Sequence, residues 1–371
     1  MGFHKILPEL LLLVAEYLSL DDLSSFRSTC YWVSKVLKPL FHKLCLRVRG
    51  KLTTLQWAAV RGYTELIELA LVNGAKIHVP LKNDLTRANL GGTWEHHVED
   101  SRHPCRVANG PRYLEDANAR SRTPLFLAAC CGHAKAIKVL LDHGASMQGP
   151  PGMMTPVHAA AARGDIPSMQ AFIRPGFDIN ARGCEERTLL HDAVTGGVEM
   201  MRYILQLDGG RNLVNSRNSK GFTPLHSLAD TNCTDQMLKM ELLLQYGADI
   251  YIRNNCGNTV AHSFVLLRNR ECLKFLINAG FHLHTRGNSG RTILHTAIYS
   301  GKKLVKYILE IEGVETLLEM KDDNGLMAMD YASRYDDLSK IKSMLEYGQA
   351  YGRTKKAKSK GLRGKRTTTQ F

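Results

Sequence analysis

Thr223-Pro224-Leu225-His226-Ser227-Leu228 is the clearest copy of a motif that recurs along most of this 371-residue chain. Other copies begin at Thr53, Thr123, Thr155, Thr188, Thr259 and Thr292, and a degenerate copy begins at Met327. From Thr123 onward, successive copies are 32, 33, 35, 36, 33 and 35 residues apart. A nearly constant period of this length is typical of repeat proteins, in which each unit buries its apolar face by stacking on its neighbours. About eight units are therefore expected to share one continuous core.

Each copy of the motif is followed by signals for two helices separated by a turn. The threonine is a preferred N-cap, and the proline suits the first helical turn. Apolar stripes follow, such as Ile137, Leu140 and Leu141. Glycines stand where the first helix turns into the second, at Gly62, Gly132, Gly164 and Gly197, and just after the second helix, at Gly74, Gly144, Gly176, Gly247, Gly280 and Gly348. We expect left-handed backbone conformations at these glycines.

In period, motif and glycine placement, the repeats resemble ankyrin repeats. The resemblance implies an all-α ankyrin-repeat solenoid over residues 50–350, built from helix-turn-helix units with β-hairpin loops. It also implies that the threonine caps the first helix and that the histidine at the fourth place of the motif makes structural hydrogen bonds. These histidines are His158, His191, His226, His262 and His295.

An insertion separates the first two copies of the motif, which are 70 residues apart. The inserted residues, about 80–118, are polar and contain Gly91, Gly92 and Pro104. They are expected to form a long loop or a decayed repeat. A long loop on a rigid scaffold either carries function or is disordered.

The first 44 residues carry a different pattern, with signals for three short helices. Pro8 suits a first helical turn, and apolar residues recur at helical spacing at Leu10, Leu13, Val14, Tyr17 and Leu18. A secretory signal is not expected, because Pro8, Glu9 and Glu16 bracket an apolar run that is too short to cross a bilayer. A bundle this small has little core and is expected to lean on a partner or on the first repeat.

Residues 1–44 resemble an F-box in order and length. The resemblance rests on Leu7-Pro8-Glu9-Leu10, on a first helix ending in Tyr17-Leu18 and on a second helix with Leu23 and Phe26. Glu9 follows Pro8 directly, whereas the family pattern has a residue between them, so the opening turn is either one residue shorter or shifted onto Ile6-Leu7. The resemblance implies that the segment binds the Skp-type adaptor of a cullin-RING ubiquitin ligase through Leu7, Pro8, Leu10, Leu11, Leu18, Leu23 and Phe26. The alternative is a generic helical cap for the repeats.

Composition limits the compartment and the partners. No stretch approaches the length of a transmembrane helix, so no membrane partner is expected. The nine cysteines include no Cys-x-x-Cys pair and are expected to be reduced thiols, which suits the cytoplasm or the nucleus.

A basic tail, residues 351–371, carries much of the net charge of +14. Its eight basic residues have no acidic neighbours. We expect it to be disordered and to act as a nuclear address, as a nonspecific anchor to nucleic acid, or to have no specific role. No aromatic residue lies among the lysines and no nucleic-acid module is present, so sequence-specific binding to nucleic acid is not expected.

Catalytic and cofactor motifs are missing from the sequence. It contains no GxGxxG, no phosphate-binding GxxxxGK[ST], no HExxH and no GxSxG. His282, His284 and Cys272 match no established zinc-ligand spacing. We therefore expect no enzymatic activity, no cofactor and no metal site.

Basic residues recur just before the copies of the motif, where ankyrin repeats present their hairpin tips. They are Arg120, Arg122, Arg182, Arg187, Arg217, Lys220, Arg253, Arg286 and Arg291. A row of positive charges favours an acidic ligand and a salt-sensitive association rate. These nine residues are therefore predicted to bind an acidic target protein.

The two resemblances together predict a substrate-recruiting subunit of a cullin-RING ubiquitin ligase, in which residues 1–44 hold the adaptor and the repeats hold the target. F-box and ankyrin combinations of this kind are typical of filamentous fungal proteins. The alternative is a scaffold or inhibitor that binds a partner through the repeats without any ligase.

Overall fold

The computed structural model describes residues 54–72, 74–77, 123–149, 154–174, 176–230, 235–311, 315–334 and 346. The F-box-like segment 1–44, the insertion 80–118 and the tail 351–371 lie outside these described residues. The chain divides into two compact units, residues 1–203 and 204–371, called the first and the second unit below.

The described part of the chain is a succession of helix pairs joined by short turns. In order, the helices are α1 (Thr54–Arg61), α2 (Thr64–Val72), α3 (Pro124–Cys131), α4 (Ala134–Asp142), α5 (Pro156–Arg163), α6 (Ile166–Phe172), α7 (Leu189–Gly196), α8 (Val198–Gln206), α9 (Pro224–Ser227), α10 (Gln236–Gln245), α11 (Val260–Leu266), α12 (Arg270–Asn278), α13 (Ile293–Ser300), α14 (Lys302–Leu309) and α15 (Ala328–Arg334). Short 3-10 helices lie at Cys184–Glu186, Gly210–Leu213, Leu228–Asp230, Asn288–Gly290 and Glu315–Leu318. Each copy of the motif from Thr123 to Thr292 starts the first helix of a pair, and the copy at Met327 starts α15, which confirms the predicted repeat.

Stacking of equivalent helices builds the core of each unit. In the first unit, α1, α3, α5 and α7 pack in sequence, and α2, α4 and α6 form a second row. In the second unit, α9, α11, α13 and α15 pack in the same way, and α10 lies against α12. Helix α1 packs directly on α3, although residues 62–123, which contain α2 and the insertion, separate them in sequence. The repeats before and after the insertion are therefore immediate neighbours in the stack.

The threonine of the motif starts several of the first helices as predicted. The Oγ1 atoms of Thr123, Thr155 and Thr223 accept hydrogen bonds from backbone N–H groups three residues later, over 3.2 to 3.4 Å. The following proline occupies the first turn, where a missing N–H group costs no helical hydrogen bond. Local chemistry thus fixes the start of each of these helices.

The predicted glycines have positive φ angles at all nine described positions, between +69° and +102°. Gly164 has a second constraint that the sequence did not suggest. A Cβ atom on Gly164, whose φ is +78°, would lie 2.0 Å from the carbonyl oxygen of Gly196. A Cβ atom on Gly196 would lie equally close to the carbonyl oxygen of Ala161. This glycine pair lets α5 and α7 approach backbone to backbone.

Leu225 is expected to be a sensitive core position, because only 1% of its surface is exposed. Leu225→Ala should lower the free energy of unfolding by about 2–5 kcal/mol, as a buried large-to-small change that leaves a cavity. Urea unfolding followed by circular dichroism measures this effect. Leu238→Ala is the matched control, since Leu238 lies in the same unit with 58% of its surface exposed. Equal effects of the two changes would contradict the assigned core.

Candidate protein-binding surface

Within the described residues, five loops of the same design precede first helices of the repeats, and we call them the tip loops. They are residues 183–187, 218–222, 254–258, 287–291 and 322–326. In each loop the backbone N–H of the first residue donates to the carbonyl oxygen of the last residue, over 2.6 to 2.9 Å. The described residues contain no β-strand, and their one isolated bridge joins Lys321 and Met327. The expected β-hairpins are thus reduced to tight loops.

Polar side chains brace three of these tip loops from inside. Asn218, Asn254 and Asp322 each stand at the first position of a loop and are buried. Their side-chain oxygens accept hydrogen bonds from backbone N–H groups two and four residues later, over 2.9 to 3.0 Å. Because the backbone of these loops is held at several points, residues on them are presented at defined places.

Four histidines of the motif, His158, His226, His262 and His295, connect their own first helix to the next tip loop. His158, His262 and His295 contact the Thr Oγ1 of their own motif through Nδ1, over 2.7 to 2.9 Å. Their Nε2 atoms lie 3.1 to 3.2 Å from the carbonyl oxygens of Arg187, Arg291 and Leu326 respectively. This arrangement requires a proton on Nε2, which donates to the carbonyl oxygen. The structural role predicted for these histidines is confirmed.

Burial lowers the pKa values of these rings. Desolvation brings the pKa of His226 and of His262 down to about 4, while hydrogen bonds from the rings to the carbonyl oxygens of Asn258 and Arg291 oppose this shift. Desolvation also lowers the pKa values of His158 and His295. The rings are therefore neutral at pH 7, and the positive charge of the tip loops comes from arginine and lysine.

Most of the predicted target-binding residues that are described lie on the surface. Arg182, Arg217, Lys220, Arg253 and Arg286 are exposed. Several of them also tie loops together. Arg286 Nη1 donates to the carbonyl oxygens of Gly290 and Lys321, over 2.9 and 2.8 Å. Arg217 Nη2 donates to Asn255 Oδ1 over 2.9 Å. These cations are thus partly positioned as well as accessible. Arg120 and Arg122 lie outside the described residues.

The prediction is wrong for Arg187, which is only 7% exposed. Its Nε lies 2.6 Å from Asp192 Oδ1, and its Nη2 donates to the carbonyl oxygen of His191 over 2.7 Å. Because a carboxylate and a carbonyl group inside the protein hold this guanidinium, it cannot meet a partner. Arg187 anchors its tip loop to α7.

Arg291 is intermediate between the exposed cations and the buried Arg187, with 29% of its side chain exposed. Its Cζ atom lies 4.9 Å from the ring centroid of Tyr331 and 5.6 Å from that of Tyr299. Tyr299 is 39% exposed, and Leu266 and Leu267, on the preceding repeat, are 46% and 50% exposed. Sequence reasoning assigned no binding role to these three apolar residues. The signal was available, because they occupy places where other repeats carry short or charged residues such as Ala162 and Arg163.

The described residues offer no setting for metal chemistry. No group of three or more His, Cys, Asp or Glu side chains among them could hold a metal ion. Cys272 is buried with its Sγ 3.5 Å from Gln236 Oε1, while His282 and His284 are exposed. No helix among the described residues is long and apolar enough to cross a membrane.

Comparison with known proteins gives matches to repeat proteins. The family model for ankyrin repeats (3 copies) matches residues 106–183, 157–239 and 235–316. A Caenorhabditis elegans homolog of transient receptor potential cation channel subfamily A member 1 is 29% identical over 196 residues, which are 53% of this chain and 16% of that protein. Human ankyrin repeat and SOCS box protein 16 is 30% identical over 145 residues, which are 37% of this chain and 31% of that protein. The chain thus spans less than a third of either relative.

A solved structure with a similar chain path is the ankyrin repeat domain of Bcl-3, described as a unique member of the IkappaB protein family. The alignment covers 70% of this chain and 99% of the Bcl-3 domain, at 20% sequence identity and a TM-score of 0.47.

Proposed function

Since this chain belongs to the ankyrin-repeat family, whose repeats bind protein partners, we propose that it is the non-catalytic substrate-recognition subunit of a cullin-RING ubiquitin ligase. In this proposal, residues 1–44 bind the Skp-type adaptor through Leu7, Pro8, Leu10, Leu11, Leu18, Leu23 and Phe26. The repeats bind the protein to be ubiquitinated. The chain then acts as a bridge and carries no chemistry of its own.

The tip loops are the observation that supports target binding. In the second unit, Lys220 lies on a tip loop, and Arg217, Arg253 and Arg286 each directly precede one, as Arg182 does in the first unit; all five are exposed, and the loop backbones are held by internal hydrogen bonds. Positioned cations steer an acidic partner and fix its register, and they lose little conformational freedom when it binds. An acidic target protein is therefore the partner that this surface suits.

The ligase role depends on the F-box resemblance of residues 1–44. General physical reasons favour a two-part design, because a small helical bundle with little core needs a partner, and a repeat array is a recognition surface. The human relative is also named for ankyrin repeats combined with a second motif, the SOCS box. The alternative function is a scaffold or inhibitor in which the repeats bind the same kind of partner without a ligase.

Co-purification with the Skp-type adaptor tests the ligase role. We expect the wild-type chain to retain the adaptor, and the double variant Leu7→Asp, Pro8→Ala to lose most of it, because an acidic side chain and a missing proline disrupt an apolar docking turn. Val72→Asp is the matched control, since Val72 is 80% exposed on α2 and lies outside residues 1–44. If the wild-type chain does not retain the adaptor, the ligase role falls and the scaffold function remains.

A further inference from the structure

Two neighbouring repeats of the second unit expose large apolar side chains at matching places. Leu266 ends α11 and Leu267 follows it, and Tyr299 lies near the end of α13. Leu266 and Tyr299 both stand four residues after the histidine of their motif, and α11 packs against α13. Of the described large hydrophobic side chains, few are as exposed as these. Exposed apolar residues that cluster in this way mark interaction sites more often than isolated ones do.

Arg291 is held against this apolar cluster. Its Nη2 donates to the Tyr331 hydroxyl over 3.2 Å, and that hydroxyl donates to Asp322 Oδ2 over 2.6 Å. The Tyr299 and Tyr331 ring centroids lie 6.1 Å apart, and the guanidinium lies within cation-π range of both rings. The side chain of Arg291 therefore has a defined position before any partner arrives.

The positive charge of Arg291 is only partly neutralised. Its Nε is buried without a hydrogen-bond partner and lies 3.8 Å from Asp322 Oδ2, and the hydrogen bond of Nη2 to Tyr331 is the one that this guanidinium donates among the described residues. Asp322 is already engaged, because Oδ1 accepts from the backbone N–H groups of Asn324 and Leu326. An external carboxylate can thus still gain charge-assisted hydrogen bonds from this guanidinium.

The unit that carries this cluster exposes further positive charges at its tip loops. Arg253, Arg286 and Lys321 are exposed on or beside the tip loops of the same unit. Within the four described tip loops of this unit, Asp323 is the exposed acidic residue. These positive charges of the same unit favour an acidic ligand over a basic one.

We propose that Leu266, Leu267, Tyr299 and Arg291 form the centre of the target-binding surface and dock an extended segment in which an acidic side chain lies close to a large apolar one. The acidic side chain pairs with Arg291, and the apolar side chain packs on Leu266, Leu267 and Tyr299. This inference rests on the proposed function, since it specifies the target that the repeats recruit. Tyrosine and arginine at the middle of an interface, surrounded by apolar contacts, are the residue types that dominate binding energy. Nucleic acid would supply phosphates to Arg291 but no aliphatic group to cover both leucines.

Selection from a phage-displayed library of random linear peptides on the immobilised full chain tests this docking site. We expect enrichment of peptides that carry Asp or Glu within a few residues of Leu, Ile or Phe. A labelled synthetic copy of the most enriched peptide is then titrated by fluorescence anisotropy. We expect Leu267→Ser and Tyr299→Ser each to weaken its binding about tenfold or more, as interface centres do. Arg291→Lys should also weaken binding, because lysine lacks the planar guanidinium that can bond a carboxylate through two N–H groups.

Leu238→Ser is the matched control, because Leu238 is 58% exposed in the same unit but outside the cluster. Its peptide affinity should equal that of the wild-type chain, and circular dichroism of all variants excludes unfolding as the cause of a loss. The proposal is overturned if no acidic-apolar peptides are enriched, or if Leu267→Ser and Tyr299→Ser bind the enriched peptide normally. It is also overturned if labelled single-stranded DNA binds at the cluster more tightly than the peptide.

Peptide binding and adaptor retention are independent readouts. Retention of the adaptor without peptide enrichment would remove the docking site and leave the recruiter function standing. Peptide binding at the cluster without adaptor retention would leave the docking site standing and remove the ligase role.

Discussion

Acidification from pH 7 to pH 4 is expected to destabilise the second unit by several kcal/mol, because its buried motif histidines are neutral in the folded chain and take up protons when the chain unfolds. His226 and His262 have folded-state pKa values of about 4, against 6.5 for an exposed histidine. The unfolded chain therefore binds more protons than the folded chain below pH 6.5. The stabilisation from these neutral rings is complete above pH 6.5 and is lost as the pH falls towards 4.

The size of this effect follows from the two pKa shifts. One pKa unit corresponds to about 1.4 kcal/mol, so each of the two rings contributes about 3 kcal/mol, or about 6 kcal/mol together. The structure gives the reason. In His226, Nδ1 already accepts from the Thr223 backbone N–H over 3.3 Å, and Nε2 donates to the Asn258 carbonyl oxygen. A proton on Nδ1 would face a donor and would place a charge among buried groups.

Urea unfolding at a series of pH values measures this dependence. His226→Gln removes one titrating ring, so the loss of unfolding free energy between pH 7 and pH 4 should shrink by about 3 kcal/mol. His282→Gln is the control, because His282 is exposed in the same unit. If His226→Gln and His282→Gln show the same slope of stability against pH, the buried ring is not the cause.

The repeat architecture was readable from the sequence because local signals and long-range packing agree in it. The threonine, the proline and the glycines fix where helices begin and end, and the fixed period implies that equivalent helices stack. The histidine network followed from the ankyrin resemblance. The glycine pair at Gly164 and Gly196 was only half predicted, because the sequence indicates a turn but not the close approach of two backbones.

Which charged residues are buried could not be predicted from the sequence. Arg182 and Arg187 both precede the same motif, yet one is exposed and the other is 7% exposed. Asp192, placed directly after a motif histidine, was the available signal for the buried pair. Lys239 shows the same limit, since it is 1% exposed with its Nζ 2.9 Å from Asp235 Oδ1. From sequence alone, a charged residue is predicted to be exposed unless the partner that pairs with it is known.

The candidate binding centre was not predicted, because its apolar residues were expected to be buried and are exposed. Leu266, Leu267 and Tyr299 fit the apolar stripe of a first helix, and a stripe of this kind indicates core. Their exposure depends on which neighbour covers each position, and that is a property of the stack. Adaptor binding through residues 1–44 stays a prediction, since those residues lie outside the described ones.

Asp192→Ala is expected to lower the free energy of unfolding of the first unit by about 3–5 kcal/mol, because it leaves the Arg187 guanidinium buried without a countercharge. The pair is well suited to this test. Its Nε–Oδ1 distance is 2.6 Å, and the two side chains are 9% and 3% exposed. Removal of one partner lowers the free energy of unfolding by far more than the intact pair contributes, since the remaining charge is then buried without a partner in a poorly solvated site.

Two further variants give this prediction its controls. Asp142→Ala removes a carboxylate from a pair of similar length, Arg174–Asp142 at 2.7 Å, in the same unit, but these side chains are 29% and 52% exposed. Water replaces the lost partner there, so the effect should be much smaller. The double variant Arg187→Met, Asp192→Leu should recover much of the stability lost in Asp192→Ala, because apolar groups of similar size leave no unpaired charge in the protein interior. Urea unfolding of the three variants, followed by circular dichroism, measures their free energies of unfolding. If Asp192→Ala is no more harmful than Asp142→Ala, Arg187 is not a buried anchor and returns to the set of arginines available to a target.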